Sequence, residues 1–206
     1  LTVFQRTANY SIPAWNKPLD EEAIRHWKAN YPALRQRARL SQVGADFEPP
    51  DRATFDLSPE ERYRRLEELW QRGSFGFLSA FTDLLVNPAA SDLVGVFVEE
   101  KIRAVVKDPE TANLLCPKNL PIGTKRLCVD TNYYETFNRD NVRLIDIKAA
   151  PIEEIPPTGL IAGGGIGNNL GDHRIVMNGY FTAFGNTGID AQAVVFQRRA
   201  VCRQPS

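Results

Sequence analysis

With 206 residues the chain is long enough for one large domain or two small ones, with a core that needs no disulfide or metal staple. Its 25 Lys and Arg offset 25 Asp and Glu, so no global field exists to steer nucleic acid or an anionic membrane, and any charge recognition is local. Three scattered cysteines, Cys116, Cys128 and Cys202, without a CxxC pair, argue against a disulfide framework or zinc site and fit a reducing, cytoplasmic setting; no run of about 18 apolar residues offers a membrane span.

Leu1 to Arg6 reads as a short strand that opens the chain, which leads us to expect a strand without neighbours and a sequence cut from something longer. A Pro-punctuated connection leads to Asp20, an N-cap for a helix whose apolar positions Ile24, Trp27, Tyr31 and Leu34 recur at helical spacing; Pro32 is expected to kink or divide it. Ser41 to Leu57 reads as a long loop. Ser58, Pro59 and Glu61 form a capping box opening a helix that Gly73 stops. Two further helices are predicted, one over FGFLSAFTDLLV and one opened by Asn87-Pro88, whose stripe is Leu93, Phe97, Val98, Ile102, Val105 and Val106. Asp108-Pro109 repeats the device for a short helix ending before Cys116. NVRLIDI reads as a strand, and APIEEIPPTGLI as a turn and a second extended piece.

The glycine run from Gly163 to Gly171 invites a phosphate-loop reading, but Asn168 or Leu170 stands where G-x-G-x-x-G needs its last small residue, so it reads as a flexible turn. Only His26 and His173 could act as an imidazole base, there is no G-x-S-x-G elbow, and Trp15, Trp27 and Trp70 read as packing residues. Glu135 and Asp140 are expected to be salt-bridged or capping. More informative are the cations. The first strand ends in Arg6 and Thr7, a fork and a hydroxyl suited to phosphate, and Lys125-Arg126 follows a Pro-Ile-Gly turn.

VFQRTANYSIPAWNKPL, CPKNLPIGTKRLCVDTNYYETFNRDNVRLIDI and APIEEIPPTGL resemble, in that order, the middle of the Baeyer–Villiger monooxygenases over roughly residues 1–160. The resemblance implies an α/β fold with a dominant helical part: the edge of a Rossmann-like dinucleotide-binding domain, a large helical insertion and a return β segment. It divides the chain into residues 1–18 (NADPH-domain strand and connection), 19–117 (helical insertion), 118–160 (active-site turn and return strands toward the FAD domain) and a tail, 161–206, that does not align. A shifted frame, a retained intron or a truncated gene product would each give such a tail.

The resemblance further implies FAD and NADPH as cofactors, a ketone and O2 as small-molecule partners, and an ester or lactone as product, with no nucleic acid or membrane partner. By that resemblance Arg6, Thr7 and Lys125 bind the NADPH 2′-phosphate and Arg126 stands over the flavin as the catalytic residue. No metal is implied. The family's glycine fingerprints for FAD and NADPH are missing, so the chain alone is expected to be inactive and to self-associate through exposed surfaces. The competing reading is a non-catalytic helical binding or regulatory module built on the same scaffold.

Overall fold

The computed structural model describes residues 1–16, 18–41, 44–154, 159–163, 166–169, 175–178, 180–181, 191–192 and 195–196. In chain order these form β1 (Thr2–Gln5), β2 (Ser11–Pro13), α1 (Glu21–Leu40), α2 (Pro59–Arg72), α3 (Pro88–Val105), α4 (Pro109–Leu115), β3 (Cys128–Asp130), α5 (Tyr133–Thr136), β4 (Arg143–Asp146), β5 (Ile152–Glu154), β6 (Gly159–Ala162), β7 (Ile166–Asn169), β8 (Ile175–Asn178), β9 (Tyr180–Phe181), β10 (Ala191–Gln192) and β11 (Val195–Phe196), with 3-10 turns at Thr54–Asp56 and Phe75–Ser79. The chain divides into two compact units, and α3 runs from one into the other: Pro88 to Glu100 lie in the second, Lys101 to Val105 in the first.

The first unit comprises residues 1–9, 101–118 and 133–206. Its sheet has the order β11-β8-β1-β4, with β1 parallel to both β4 and β8 and β11 antiparallel to β8. This corrects the expectation of a solitary opening strand. β1 is flanked on both sides, Phe4 lying opposite Ile145 and Met177, so both of its ladders are filled. All four of its residues are buried, as expected of a parallel strand covered on both faces. Phe4 and Ala162 form a core cluster against Ile145, Ile147, Ala150 and Ile152. Asn138 ties the C-terminus of α3 to the segment after α5: its amide donates to the Val105 carbonyl (2.8 Å) and its oxygen accepts from Lys107 N–H (2.8 Å). β5, β6 and β7 form an antiparallel sheet, so Gly167 of the glycine run is in a strand rather than a flexible turn; Gly164, Gly165 and Gly171 lie outside the described residues.

The second unit, residues 10–100 and 119–132, is the helical part with one small parallel pair, β2 with β3. α2 opens as read: Ser58 accepts from Glu61 N–H (3.3 Å) while Glu61 accepts from Ser58 N–H (2.9 Å). It closes at Gly73, whose φ of +70° and contact with the Pro13 carbonyl exclude a side chain. Trp70, Phe77 and Phe97 pack together with ring centroids 5.9 to 6.2 Å apart.

Three local expectations in this unit need correction. α1 runs through Pro32 as one helix, so of the kink or division expected there the division does not occur; it is capped by Asp20 accepting from Ala23 N–H at 2.7 Å. FGFLSAFTDLLV is a 3-10 turn followed by further turns rather than an α-helix. Phe77, Ala80, Phe81 and Leu84 are buried at the anticipated spacing, but the backbone is diverted by tertiary bonds, Thr82 N–H to the Arg52 carbonyl and Thr54 to the Asp83 carboxylate. Finally, only Trp70 of the three tryptophans is core; Trp27 is 57% exposed, and Trp15, 48% exposed, donates its indole N–H to the Trp70 carbonyl (2.8 Å). With these corrections the fold is α/β, the edge of a Rossmann-like dinucleotide-binding domain with a large helical insertion.

Candidate functional site

Arg6 and Thr7 lie on the first unit, in the bend directly after β1, with Arg6 exposed and Thr7 half-buried. That bend is at the carboxyl end of the parallel strands, where open α/β sheets bind their ligands. The strand end is held firmly: Gln5 is opposite Asp146 and Asn178, its side-chain amide donates to the Leu114 carbonyl of α4 (2.7 Å), and its carbonyl accepts from Ile147 N–H (3.0 Å). The Asp146 carboxylate at this edge is engaged by Lys148 N–H (2.9 Å).

Lys125 and Arg126 lie on the second unit, between two buried anchors, Ile122 and Leu127. The turn before them is closed twice, since Thr124 N–H (3.2 Å) and Thr124 Oγ1–H (2.7 Å) both donate to the Pro121 carbonyl. Gly123 has φ of +87° and abuts the Leu85 side chain, so an L-residue there meets both backbone strain and a clash. The Ile122 N–H donates to Ser91 Oγ of α3 at 2.9 Å in a buried bond. After the cations the chain enters β3: Cys128 N–H donates to the Tyr10 carbonyl (3.1 Å), Ala14 N–H to the Asp130 carbonyl (2.7 Å), and Ser11 Oγ–H to the Asp130 carboxylate. Arg126 is exposed with its guanidinium 5.9 Å from the Phe75 ring centroid, and Lys125 is half-buried.

Behind Ser91, the N-terminus of α3 is fixed by Asp83. This carboxylate accepts from Thr54 N–H (2.8 Å), Thr54 Oγ1–H (2.7 Å) and the Asn87 amide (2.8 Å), while Asn87 caps Ala89 N–H at 3.1 Å. Burial pushes the Asp83 carboxyl up, but the hydrogen bonds from Thr54 and Asn87 outweigh it and hold the group below the ordinary range. Sequence reading found Asn87-Pro88 but missed Asp83 and Ser91. A signal for Ser91 existed: it shares the buried face of Val94, Val98 and Ile102, where a polar residue needs a partner.

Other sequence candidates fall elsewhere. His26 is exposed on α1, its carbonyl accepting from the Asn30 amide (2.9 Å), and His173 lies outside the described residues. Glu135 and Asp140 are exposed. A cavity of about 630 Å³ in the second unit is lined by neither Lys125 nor Arg126; both of its arginines face carboxylates of the same lining, Arg65 with Asp51 (2.6 Å) and Arg72 with Glu48 (3.4 Å). No helix among the described residues is long and apolar enough to cross a membrane. The structure thus joins Lys125 with Arg126 and Arg6 with Thr7, the two pairs belonging to different units.

No family model matches the chain. It is 41% identical over 188 residues to a Baeyer–Villiger monooxygenase of Pseudooceanicola batsensis, covering 90% of this chain and 34% of that protein.

The chain belongs to the Baeyer–Villiger flavin monooxygenases.

A structure of an oxidised steroid monooxygenase bound to NADP superposes with a TM-score of 0.77 at 46% identity, over 82% of this chain and 32% of that one. OTEMO in complex with FAD and NADP gives 0.78 at 37% identity, over 82% and 32%. The chain therefore spans about a third of the length of these monooxygenases. A match over 90% of 206 residues also reaches beyond Leu160, so the likeness is not confined to the three segments that first carried it.

Proposed function

We propose that this chain is a segment of a Baeyer–Villiger monooxygenase that converts ketones to esters or lactones with NADPH and O2. The identity to the Pseudooceanicola protein is the observation that carries this reading. The cations fit the anionic groups such an enzyme must hold. Arg6 and Thr7, presented after a strand end, offer a planar fork and a hydroxyl to a 2′-phosphate, and Lys125 adds a point charge. Arg126 carries a fixed positive charge, which would face the flavin and stabilise negative charge developing on oxygen. FAD and NADPH, when bound, would supply the reducing equivalents and the activation of O2. The contribution of this chain is placement: Ile122 and Leu127 anchor the segment between them, so moving one cation moves the other.

These 206 residues contain no G-x-G-x-x-G register to cradle a pyrophosphate, so the chain by itself would hold the cations without the reacting groups. Purified chain incubated with FAD, NADPH and a panel of cyclic, linear and aryl ketones is expected to form no ester and show no bound flavin spectrum; ester formation with turnover overturns the inactive-segment reading. In a full-length enzyme carrying this segment, Lys125→Ala should weaken NADPH binding by about 1–3 kcal/mol and leave NADH nearly unchanged. Equal losses for both cofactors count against the phosphate assignment. Arg126→Ala in the same enzyme should abolish ester formation while flavin stays bound, and retained oxygenation removes its catalytic role.

A further inference from the structure

We infer that Ser91 is the positioning residue of the Lys125–Arg126 turn, an inference that rests on the cofactor reading above. Ser91 acts on the cations through the backbone of Ile122. Its hydroxyl accepts the Ile122 N–H at 2.9 Å, and both residues are buried, at 3% and 1% exposure. A buried amide hydrogen bonded to a side chain is costly to orphan, because no water replaces the lost acceptor. The Ser91 position belongs to the apolar face of α3 by spacing, so packing alone would favour an aliphatic residue there. What the hydroxyl adds is a fixed address for Ile122.

The helix end that carries Ser91 is itself tied down by hydrogen bonds. Ser91 N–H bonds to the Asn87 carbonyl (3.1 Å), Asn87 to Asp83, and Asp83 to Thr54, giving a continuous hydrogen-bonded path from the loop at Thr54 to the turn. On the other side, Thr124 closes onto Pro121 and Gly123 lies against Leu85, so the turn holds together as one body between its buried anchors Ile122 and Leu127. Removing the hydroxyl loosens the Ile122 end. The orphaned N–H then turns toward water, and Lys125 and Arg126, three and four residues after Ile122 and covalently joined, lose their position together.

Amide hydrogen exchange on the 206-residue chain reads this directly. Ser91→Ala should speed exchange at Ile122 to Lys125 by about tenfold or more while the amides of Val94 to Phe97 in α3 stay protected; Ser91→Thr, which keeps the acceptor, should restore the slow rate. Ser91→Cys, a weaker acceptor of similar size, should fall between them and serves if the alanine variant does not fold. Unchanged exchange at Ile122, or a uniform rise along α3, overturns the inference. In a full-length enzyme carrying the segment, Ser91→Ala should raise the KM for NADPH about tenfold and leave that for NADH unchanged. If Lys125→Ala shifts the NADPH preference and Ser91→Ala does not, the positioning role is wrong and the cofactor reading stands. If Lys125→Ala leaves the preference unchanged, the cofactor reading fails, and the exchange rates alone decide whether Ser91 holds the turn.

Discussion

α1 and α3 are both long helices with an apolar stripe at helical spacing, yet they do opposite things. Along α3, Ala90, Val94, Phe97, Val98 and Ile102 are buried, and Phe97 meets Trp70, Phe77 and Tyr63 edge-on or stacked at 5.4 to 6.2 Å. Along α1 no residue is buried: Trp27 and Tyr31 are more than half exposed, and the ties it shows are polar, the Asp20 cap and the Arg37–Asp46 pair at 2.7 Å. Periodicity therefore forecasts the helix in both cases and the burial in only one. A helix that buries nothing depends on its own backbone and caps, whereas one in a core depends on its side chains.

The largest effect that could break this contrast is Phe97→Ala, which should destabilise the second unit by about 3–5 kcal/mol in denaturant unfolding, through lost burial plus a cavity among three rings. A cost under about 1 kcal/mol would mean that α3 is not the centre of that core. Next comes Asp83→Ala, expected to cost about 2 kcal/mol because it strips acceptors from Thr54 and Asn87. Its pH signature sharpens the test. The folded-state pKa of Asp83 is held below its ordinary 3.8, so its contribution is present above that value and is lost as the pH falls through the lower folded value. Unfolding free energy measured from pH 6 down to 2 should show that loss in the native chain and a flatter profile in Asp83→Asn.

On α1 the expected ranking reverses. Asp20→Ala should cost about 1 kcal/mol or less, seen as faster exchange confined to the first turn, because the cap satisfies a donor the helix cannot. Trp27→Ala, smallest of all, should leave stability within about 0.5 kcal/mol while lowering the binding of an apolar dye. A cost above about 2 kcal/mol for Trp27→Ala would show that α1 is packed after all and erase the contrast.

The candidate site was legible where local chemistry carries it. Lys125 and Arg126 stand out as adjacent cations after Pro-Ile-Gly, and Gly123 does adopt the positive φ that such a turn implies. Asp83 and Ser91 were not legible as parts of that site, since their partners Thr54 and Ile122 lie 29 and 31 residues away in sequence. The same holds for β1. By itself it looked unpaired, because its neighbours β4 and β8 come more than a hundred residues later.

What the sequence determined by itself was everything set within about a turn of chain: the Ser58–Glu61 capping box, the Asp20 and Asp108 caps, the stop at Gly73 and the tight turn at Gly123. These follow from short-range sterics and side-chain-to-backbone hydrogen bonds, which any four or five consecutive residues already contain. Only the tertiary structure decided that FGFLSAFTDLLV would give up its helix, that Trp70 would be core and Trp27 surface, and that a serine on α3 would hold the turn of Lys125 and Arg126. Each of those outcomes depends on which distant groups arrive to fill a ladder, cover a face or accept a buried N–H, and periodicity along one segment carries no record of its partners.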